Sequence, residues 1–204
     1  SILPGSGVPL NYIQKKYYNS CLLKNDINIV NVARIIPTKG LLNYCKVAEF
    51  FKLKTNLNIH FFIQSSFKIG DNLSNYEKII YSYHRRKIIK ILPFKNNLKN
   101  FYKKMDIAIC TSYREGTPKF LIEAISCGLP VIASNVAGCR DVCKDNYNGY
   151  LYEFGNDFSL RKKIYKLLNL DKYQLNKLSN NSIKLCRHKY DINFVINSYL
   201  KCLN

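Results

Sequence analysis

Two short segments of the sequence carry charged residues whose types suit an anionic ligand. In the first segment, Arg34 and Lys39 bracket a turn that contains Pro37. A guanidinium group can form two parallel hydrogen bonds to a phosphate, and an ammonium group adds a compact positive charge. Together they could neutralise a diphosphate without a metal ion. A basic loop residue is usually only solvated, so this segment assigns nothing by itself.

The second segment carries two carboxylates, Glu115 and Glu123. A carboxylate accepts two hydrogen bonds, so each of them can hold a pair of sugar hydroxyl groups. Glu123 lies among apolar residues, where an unpartnered carboxylate is costly to bury. It therefore needs a partner, and a ribose would serve. The alternative interpretation is a solvated glutamate pair beside a helix cap.

A helix is predicted to begin just after Glu115, and its first turn would form an anion site. Thr117 is a good N-cap, and Pro118 suits the first helical position. The next three backbone N–H groups lack helical partners and lie at the positive end of the helix dipole. They belong to Lys119, Phe120 and Leu121. Gly116 would let a ligand approach the backbone closely.

Short apolar segments alternate with amphipathic segments and define the elements that position these residues. The predicted strands are Ile27 to Ala33, Ile59 to Gln64, Lys87 to Leu92, Asp106 to Ser112, Pro130 to Asn135 and Tyr150 to Phe154. The predicted helices between them are Leu41 to Lys54, Asn72 to Tyr83, Leu98 to Met105, Pro118 to Cys127 and a short turn at Gly138 to Cys143. This alternation predicts a doubly wound α/β domain with a parallel sheet covered on both faces. Both charged segments follow strands, and ligands of such sheets bind beyond the carboxyl ends of the strands.

The pattern becomes helical after Phe154. Three helices are predicted, at Asp157 to Leu168 with Asp157 as its N-cap, at Lys172 to Arg187 and at Ile192 to Leu203. The predicted organisation is a lead-in or hinge segment over residues 1–24, a Rossmann-like domain over residues 25–170 and C-terminal helices over residues 171–204.

The formal net charge of +19 is the strongest compositional signal. Clustered Lys and Arg attract nucleic acid or an anionic membrane surface. Here the cations are spread along the whole chain, and Lys, Asn, Ile and Tyr are all abundant, as in proteins from AT-rich genomes. The sequence therefore argues against dedicated nucleic-acid binding and ranks peripheral contact with acidic lipid above it, with compositional bias as the alternative explanation of the charge. No apolar segment approaches the roughly 18 to 20 residues that span a bilayer.

The eight cysteines do not form a Cys-x-x-Cys pair, and several lie inside apolar strand or helix patterns. Zinc sites usually have tighter, paired spacings with histidines nearby. The sequence therefore predicts buried, reduced thiols and a cytoplasmic setting.

The order of several motifs resembles family 4 glycosyltransferases, which have the GT-B architecture. The motifs are Arg34-x-x-x-x-Lys39-Gly40, then Ser112-Tyr113-Arg114-Glu115-Gly116-Thr117-Pro118, then Glu123-Ala124, and then Gly128-x-Pro130-Val131-Ile132-Ala133. Glu115 and Glu123 have the E-x7-E spacing of many retaining members. Asn135 to Val142 and Asn148 to Leu151 are also similar to family segments, and Ser6-Gly7-Val8 resembles the hinge into the second domain.

The resemblance implies that the chain is the C-terminal, donor-binding half of such an enzyme. Arg34 and Lys39 would bind the donor's diphosphate and stabilise the departing charge, and Glu115 would lie beside the transferred sugar with the amides of Gly116 and Thr117. Glu123 would bind the ribose. The phosphates would face the amides of Lys119 and Phe120, with Leu121 nearby, and the base would lie near Phe94. The expected reaction is retaining transfer of a hexosyl or N-acetylhexosaminyl group, with UDP favoured over GDP. The expected acceptor is a glycan or a lipid-linked precursor of a polysaccharide such as lipopolysaccharide or capsule, met at the inner face of the membrane. No metal ligand and no cofactor are expected, since the donor is a substrate.

Three departures from the family pattern bear on this interpretation. Gln64-Ser65-Ser66-Phe67 stands where members often carry a glycine-rich turn, and Lys95 stands where a glycine commonly follows the position of Phe94. Both changes leave the base and the sugar open. The acceptor-binding N-terminal domain is also absent, so the chain is expected to transfer weakly unless that domain or a partner chain completes it. The alternatives are a non-catalytic sugar-nucleotide-binding module or partner subunit, and a basic membrane or nucleic-acid module.

Overall fold

One parallel sheet organises the residues described by the computed structural model, which are 6–13, 16–24, 26–66, 73–94 and 99–203. Within them the sheet has six strands in the spatial order β3-β2-β1-β4-β5-β6, and each neighbouring pair is parallel. The strands are β1 Ile27–Val32, β2 Ile59–Ser65, β3 Lys90–Pro93, β4 Ile107–Cys110, β5 Val131–Ser134 and β6 Gly149–Tyr152. The predicted doubly wound α/β fold is confirmed.

Helices follow the strands and then close the chain. Those between strands are α1 Leu41–Lys54, α2 Asn75–Arg85, α3 Lys99–Lys103, α4 Lys119–Ser126 and α5 Ala137–Val142. The C-terminal helices are α6 Asp157–Leu168, α7 Lys172–Lys189 and α8 Ile192–Leu203. None of the helices in the described ranges is long and apolar enough to cross a membrane.

Two apolar cores cover the two faces of the sheet. Every residue of β4 and β5 is buried, as expected for strands that are covered on both sides. α7 belongs to both cores, because Leu175 packs into one and Cys186 into the other. The N-terminal segment joins the same body, since the amide of Val8 donates to the carbonyl of Tyr190 at 2.8 Å.

The bounds of α1, α6 and α8 agree with the sequence prediction, and most other ends differ by one to three residues. β3 was predicted to begin at Lys87 but begins at Lys90. Lys87 has a positive φ of 56°, which ends α2 in a left-handed turn and cannot continue as a strand. Asp157 is not the N-cap of α6, because the side chain of Asn156 caps that helix by accepting from the amide of Ser159.

Several sequence predictions fall on residues outside the described ranges. They concern Ser1 to Gly5 of the lead-in segment, the predicted starts of helices at Asn72 and Leu98, Phe67 of the turn after β2, and Lys95. The prediction of buried thiols is correct for six of the eight cysteines, which are all free, but Cys21 is half-buried and Cys202 is exposed on α8.

Candidate active site

β1 and β4 lie side by side at the centre of the sheet, and the chain leaves them in opposite directions. From β1 the chain moves to β2 and β3 on one side, and from β4 it moves to β5 and β6 on the other. Such a change of direction leaves a crevice at the carboxyl ends of the two strands, where doubly wound proteins bind ligands. The loops after β1 and β4 carry the two charged segments, so both charged segments border this crevice.

Hydrogen bonds join the two loops directly. The amide of Tyr113 donates to the carbonyl of Thr38 at 2.9 Å, and the hydroxyl of Thr111 donates to the carbonyl of Lys39 at 2.9 Å. Gly40 closes the first loop with a φ of +62°, and a Cβ at this position would lie 2.0 Å from the carbonyl oxygen of Thr111. Because only glycine combines this conformation with this contact, Gly40 fixes how closely the loops approach.

Lys39 and Glu115 meet across the crevice in an ion pair. The Nζ of Lys39 lies 2.7 Å from the Oε1 of Glu115, and the two side chains are 20% and 15% exposed. The hydroxyl of Ser112 donates to the same carboxylate oxygen at 2.6 Å. The structure therefore brings together a cation and a carboxylate that are 76 residues apart in the sequence, as the sequence predicted.

Arg34 is exposed at the beginning of the same loop and lies in an adjoining cleft. This cleft, of about 330 Å³, opens at the ends of β1, β2 and β3 and also contains Phe94. The two residues that the sequence placed near a phosphate and a base therefore share one cavity. A larger cavity, of about 460 Å³, lies at the amino-terminal ends of β2 and β3 and contains none of the predicted site residues. The crevice and its adjoining cleft are therefore the candidate site because of the residues that line them, although they do not contain the larger cavity.

The start of α4 differs from the prediction by one residue. Pro118, not Thr117, is the N-cap, and no side chain caps the helix. The amide of Leu121 already donates to the carbonyl of Pro118 at 3.0 Å, so the expectation of three free amides was wrong for Leu121. The amides of Lys119 and Phe120 precede this first hydrogen bond and remain the groups that a helix start offers to an anion.

The backbone of Glu115 and Gly116 rests on α5. A Cβ on Gly138 would lie 1.5 Å from the carbonyl oxygen of Gly116 and 2.4 Å from that of Glu115. A Cβ on Gly116 itself would meet no atom within 4 Å. Gly138 is therefore required for packing beneath the loop, whereas Gly116 borders open space on the ligand side.

Glu123 already has protein partners. Its Oε2 lies 3.3 Å from the hydroxyl of Tyr102, and its Oε1 lies 4.0 Å from the Nζ of Lys119. Burial raises the pKa of the Glu123 carboxyl, and the neighbouring Lys119 and the Tyr102 hydrogen bond act in the opposite direction. The sequence predicted that Glu123 needs a partner and that a ribose would serve; Tyr102 of α3 already supplies one partner within the protein.

Sequence reasoning also missed the residues that support the loops. The side-chain Nδ2 of Asn31 donates to the hydroxyl of Thr111 at 3.0 Å, and the hydroxyl of Ser134 donates to the backbone carbonyl of Ser112 at 2.5 Å. Both donors lie on strands and are buried, so no local pattern marks them. In the described residues, no group of three or more His, Cys, Asp or Glu side chains is arranged to hold a metal ion.

The sequence matches the family Glycosyl transferases group 1 over residues 18–185, and the chain belongs to this family. It is 27% identical over 171 residues to UDP-Gal:α-D-GlcNAc-diphosphoundecaprenol α-1,3-galactosyltransferase of Escherichia coli, covering 82% of this chain and 42% of that protein. It is 25% identical over 173 residues to N,N'-diacetylbacillosaminyl-diphospho-undecaprenol α-1,3-N-acetylgalactosaminyltransferase of Campylobacter jejuni, covering 85% and 43%. The chain thus spans less than half the length of these two relatives.

The fold has the same architecture as solved glycosyltransferases of the GT-B class. The structure of HepE from Anabaena, determined in complex with UDP and glucose, superimposes with a TM-score of 0.82 at 18% identity. The match covers all of this chain and 56% of HepE.

Proposed function

We propose that the chain is the donor-binding half of a retaining, metal-independent glycosyltransferase that uses a UDP-sugar. The observation that carries the proposal is the contact between Lys39 and Glu115 at the crevice between β1 and β4. In this contact, a cation that would bind the diphosphate lies beside a carboxylate that would accept from the hydroxyls of a sugar. The start of α4 adds the amides of Lys119 and Phe120 on the β4 side of the crevice.

The proposed chemistry depends on stabilising a leaving group. Breaking the bond between a sugar and a diphosphate leaves negative charge on the nucleoside diphosphate. Lys39 is held by Glu115 and the amides are held by the start of α4 before the reaction, so they would stabilise this charge as it develops. Arg34, which is exposed in the adjoining cleft, would add its charge when the diphosphate binds. Glu115 with the amides of Gly116 and Thr117 would orient the sugar, and Glu123 would accept from the ribose hydroxyls. A cation set of this kind can replace a divalent metal ion, which supports metal independence.

The relatives support the class of donor and acceptor. The E. coli protein is named for a galactosyl group and the C. jejuni protein for an N-acetylgalactosaminyl group, and both names specify acceptors on diphosphoundecaprenol. We therefore propose a hexosyl or N-acetylhexosaminyl donor and a glycan or lipid-linked acceptor at the cytoplasmic face of a membrane. The net charge of +19 would favour contact with acidic lipid there.

Binding of UDP to the intact chain and to Lys39→Ala tests the proposal. Loss of a hydrogen bond to a charged group costs about 1.5–3 kcal/mol, so we expect the Kd for UDP to rise about 10- to 100-fold. Lys189→Ala is the matched control, because Lys189 pairs with Asp141 at 3.6 Å outside the crevice. An unchanged Kd for Lys39→Ala, measured by titration calorimetry, would contradict the proposal.

The alternative function is a non-catalytic module that binds a sugar nucleotide in the same pocket. It is considered because the chain matches less than half the length of the two relatives. Release of labelled sugar from UDP-galactose or UDP-N-acetylgalactosamine, with a metal chelator present, distinguishes the two functions. A transferase is expected to release sugar, and Arg34→Ala is expected to lower the rate about 100- to 1,000-fold. UDP binding without sugar release, even with a chain that supplies the acceptor domain, would favour the module.

A further inference from the structure

The cleft beside the crevice contains two buried polar side chains that the proposed function does not use. Its walls are formed by Val32, Ala33, Arg34, Gln64, Ser65, Ser66 and Phe94. Gln64 is 1% exposed and Ser65 is 2% exposed. They lie at the end of β2, the strand next to β1.

One atom of each side chain has no hydrogen-bond partner among the residues that the structure describes. These atoms are the Oε1 of Gln64 and the Oγ of Ser65. A buried polar atom without a partner is costly, and native proteins rarely keep one unless water, an ion or a ligand satisfies it. Both residues line the same cleft, so a ligand bound there is placed to complete these hydrogen bonds once it displaces the side chains slightly.

The chemistry of Gln64 restricts what that ligand can be. Its Nε2 donates to the carbonyl of Pro93 at 3.4 Å, which orients the amide and leaves Oε1 as an acceptor. Both phosphates of a nucleotide sugar are diesters that are fully ionised at neutral pH, so they only accept hydrogen bonds and cannot satisfy this oxygen. The ligand must present an N–H or O–H group to Gln64, while the hydroxyl of Ser65 can either donate or accept.

We propose that Gln64 and Ser65 recognise the base of the donor by a ring N–H that lies next to a carbonyl group. This inference rests on the proposed function. Uracil presents such an edge at N3–H and guanine at N1–H, so Gln64 would accept the N–H and Ser65 would donate to the carbonyl. Cytosine and adenine have an unprotonated ring nitrogen at the equivalent position, so in the same orientation they would leave Gln64 unsatisfied. Phe94, which is 54% exposed in the same cleft, offers a flat apolar surface for the ring.

The order of the strands gives the donor a consistent path across the edge of the sheet. Glu115 follows β4, Lys39 and Arg34 follow β1, Gln64 ends β2, and Phe94 follows β3. Neighbouring strands lie about 4.8 Å apart, so the path from β4 to β3 is roughly 14 Å long. A nucleotide sugar laid along it places the sugar at Glu115, the diphosphate at the two cations and the base in the cleft. A glycine-rich turn at Gln64 and Ser65 would have no side chains with which to read the base.

The test measures how a substitution of Gln64 changes discrimination between bases in the intact chain. Titration calorimetry gives the Kd values of UDP, N3-methyl-UDP, GDP and CDP. Because an unsatisfied buried acceptor is costly, we expect CDP to bind about 10- to 100-fold more weakly than the better of UDP and GDP. If UDP is preferred, N3-methylation should weaken binding by a similar factor. The comparison of UDP with GDP identifies which of the two bases is the ligand.

Gln64→Met keeps the length of the side chain and removes the acceptor. In this variant we expect the Kd for CDP to be within about 3-fold of the Kd for the better of UDP and GDP. The Kd for CDP itself should stay within about 3-fold of its value in the unsubstituted chain. Retained CDP binding shows that the variant is folded and that its diphosphate site is intact. Ser65→Ala should weaken UDP or GDP binding without lowering the melting temperature of the free chain, because the hydroxyl has no partner to lose.

The outcomes separate this inference from the proposed function. If the unsubstituted chain binds UDP or GDP but binds CDP equally well, the inference is overturned and the donor site stands. Discrimination that persists in Gln64→Met also overturns it. If the unsubstituted chain binds neither UDP nor GDP, the proposed function falls together with the inference.

Discussion

Replacing Glu115 by Gln is expected to have opposite effects on UDP binding and on sugar transfer. The carboxylate of Glu115 forms an ion pair, at 2.7 Å, with the ammonium group of Lys39, which we propose binds the diphosphate. At an effective dielectric constant of about 20, a pair at 2.7 Å is worth roughly 6 kcal/mol before desolvation is subtracted. Desolvation offsets most of this value because both side chains are largely buried.

The net competition between Glu115 and the diphosphate is therefore small but measurable. A gain of roughly 1 kcal/mol on removal of the carboxylate charge corresponds to about fivefold tighter binding of UDP. Transfer should nevertheless fall about 100-fold or more, because the group that orients the sugar loses its charge. The gain in UDP affinity should shrink as salt is added, since the ammonium and the phosphates are partly exposed to ions.

Calorimetry with UDP at two salt concentrations and a sugar-release assay measure the two effects. Glu49→Gln is the control, because Glu49 pairs with Arg86 and neither residue belongs to a loop of the crevice. If Glu115→Gln weakens UDP binding as much as Lys39→Ala does, Glu115 serves only to position Lys39. Unchanged transfer would refute its role beside the sugar.

Three further substitutions test the site and its supports. Because burial raises the pKa of Glu123, the resulting contribution to stability is present at low pH and is lost as pH rises through that pKa. Glu123→Gln should therefore melt at the same or a higher temperature at pH 7 while UDP binds about 10-fold more weakly; lower stability with unchanged affinity would contradict the assignment. Gly138→Ala places a Cβ 1.5 Å from the carbonyl oxygen of Gly116, so both the melting temperature and UDP affinity should fall. Gly116→Ala should keep the melting temperature, because its Cβ would meet no atom within 4 Å; equal melting temperatures for the two alanine variants would refute this account of the loop.

The sequence was sufficient to predict that the loops carrying Lys39 and Glu115 converge at one edge of the sheet. Parallel strands present their carboxyl ends at one edge, and both loops were recognisable by their proline and glycine residues. The ends of α1 and α6 were also predictable, because apolar periodicity stops sharply at Lys54 and Leu168. These features depend on local pattern and on one rule of sheet topology.

Contacts made by tertiary packing were not predictable in the same way. Tyr102 reaches Glu123 from a different helix, and no periodicity relates two such side chains. The left-handed conformation of Lys87 also delayed the start of β3 to Lys90, although the sequence pattern predicted a strand from Lys87. In the sequence, Gln64 is only a departure from a glycine-rich pattern. The lack of a partner for its Oε1 depends on the three-dimensional packing of the cleft, which no local pattern encodes.

A crystal structure of the chain with UDP would test the central claim most directly, which is that the loops after β1 and β4 form one diphosphate pocket. The account predicts phosphate oxygens within hydrogen-bond distance of Lys39 and Arg34 and of the amides that begin α4. UDP bound elsewhere, with the ion pair between Lys39 and Glu115 intact, would contradict it.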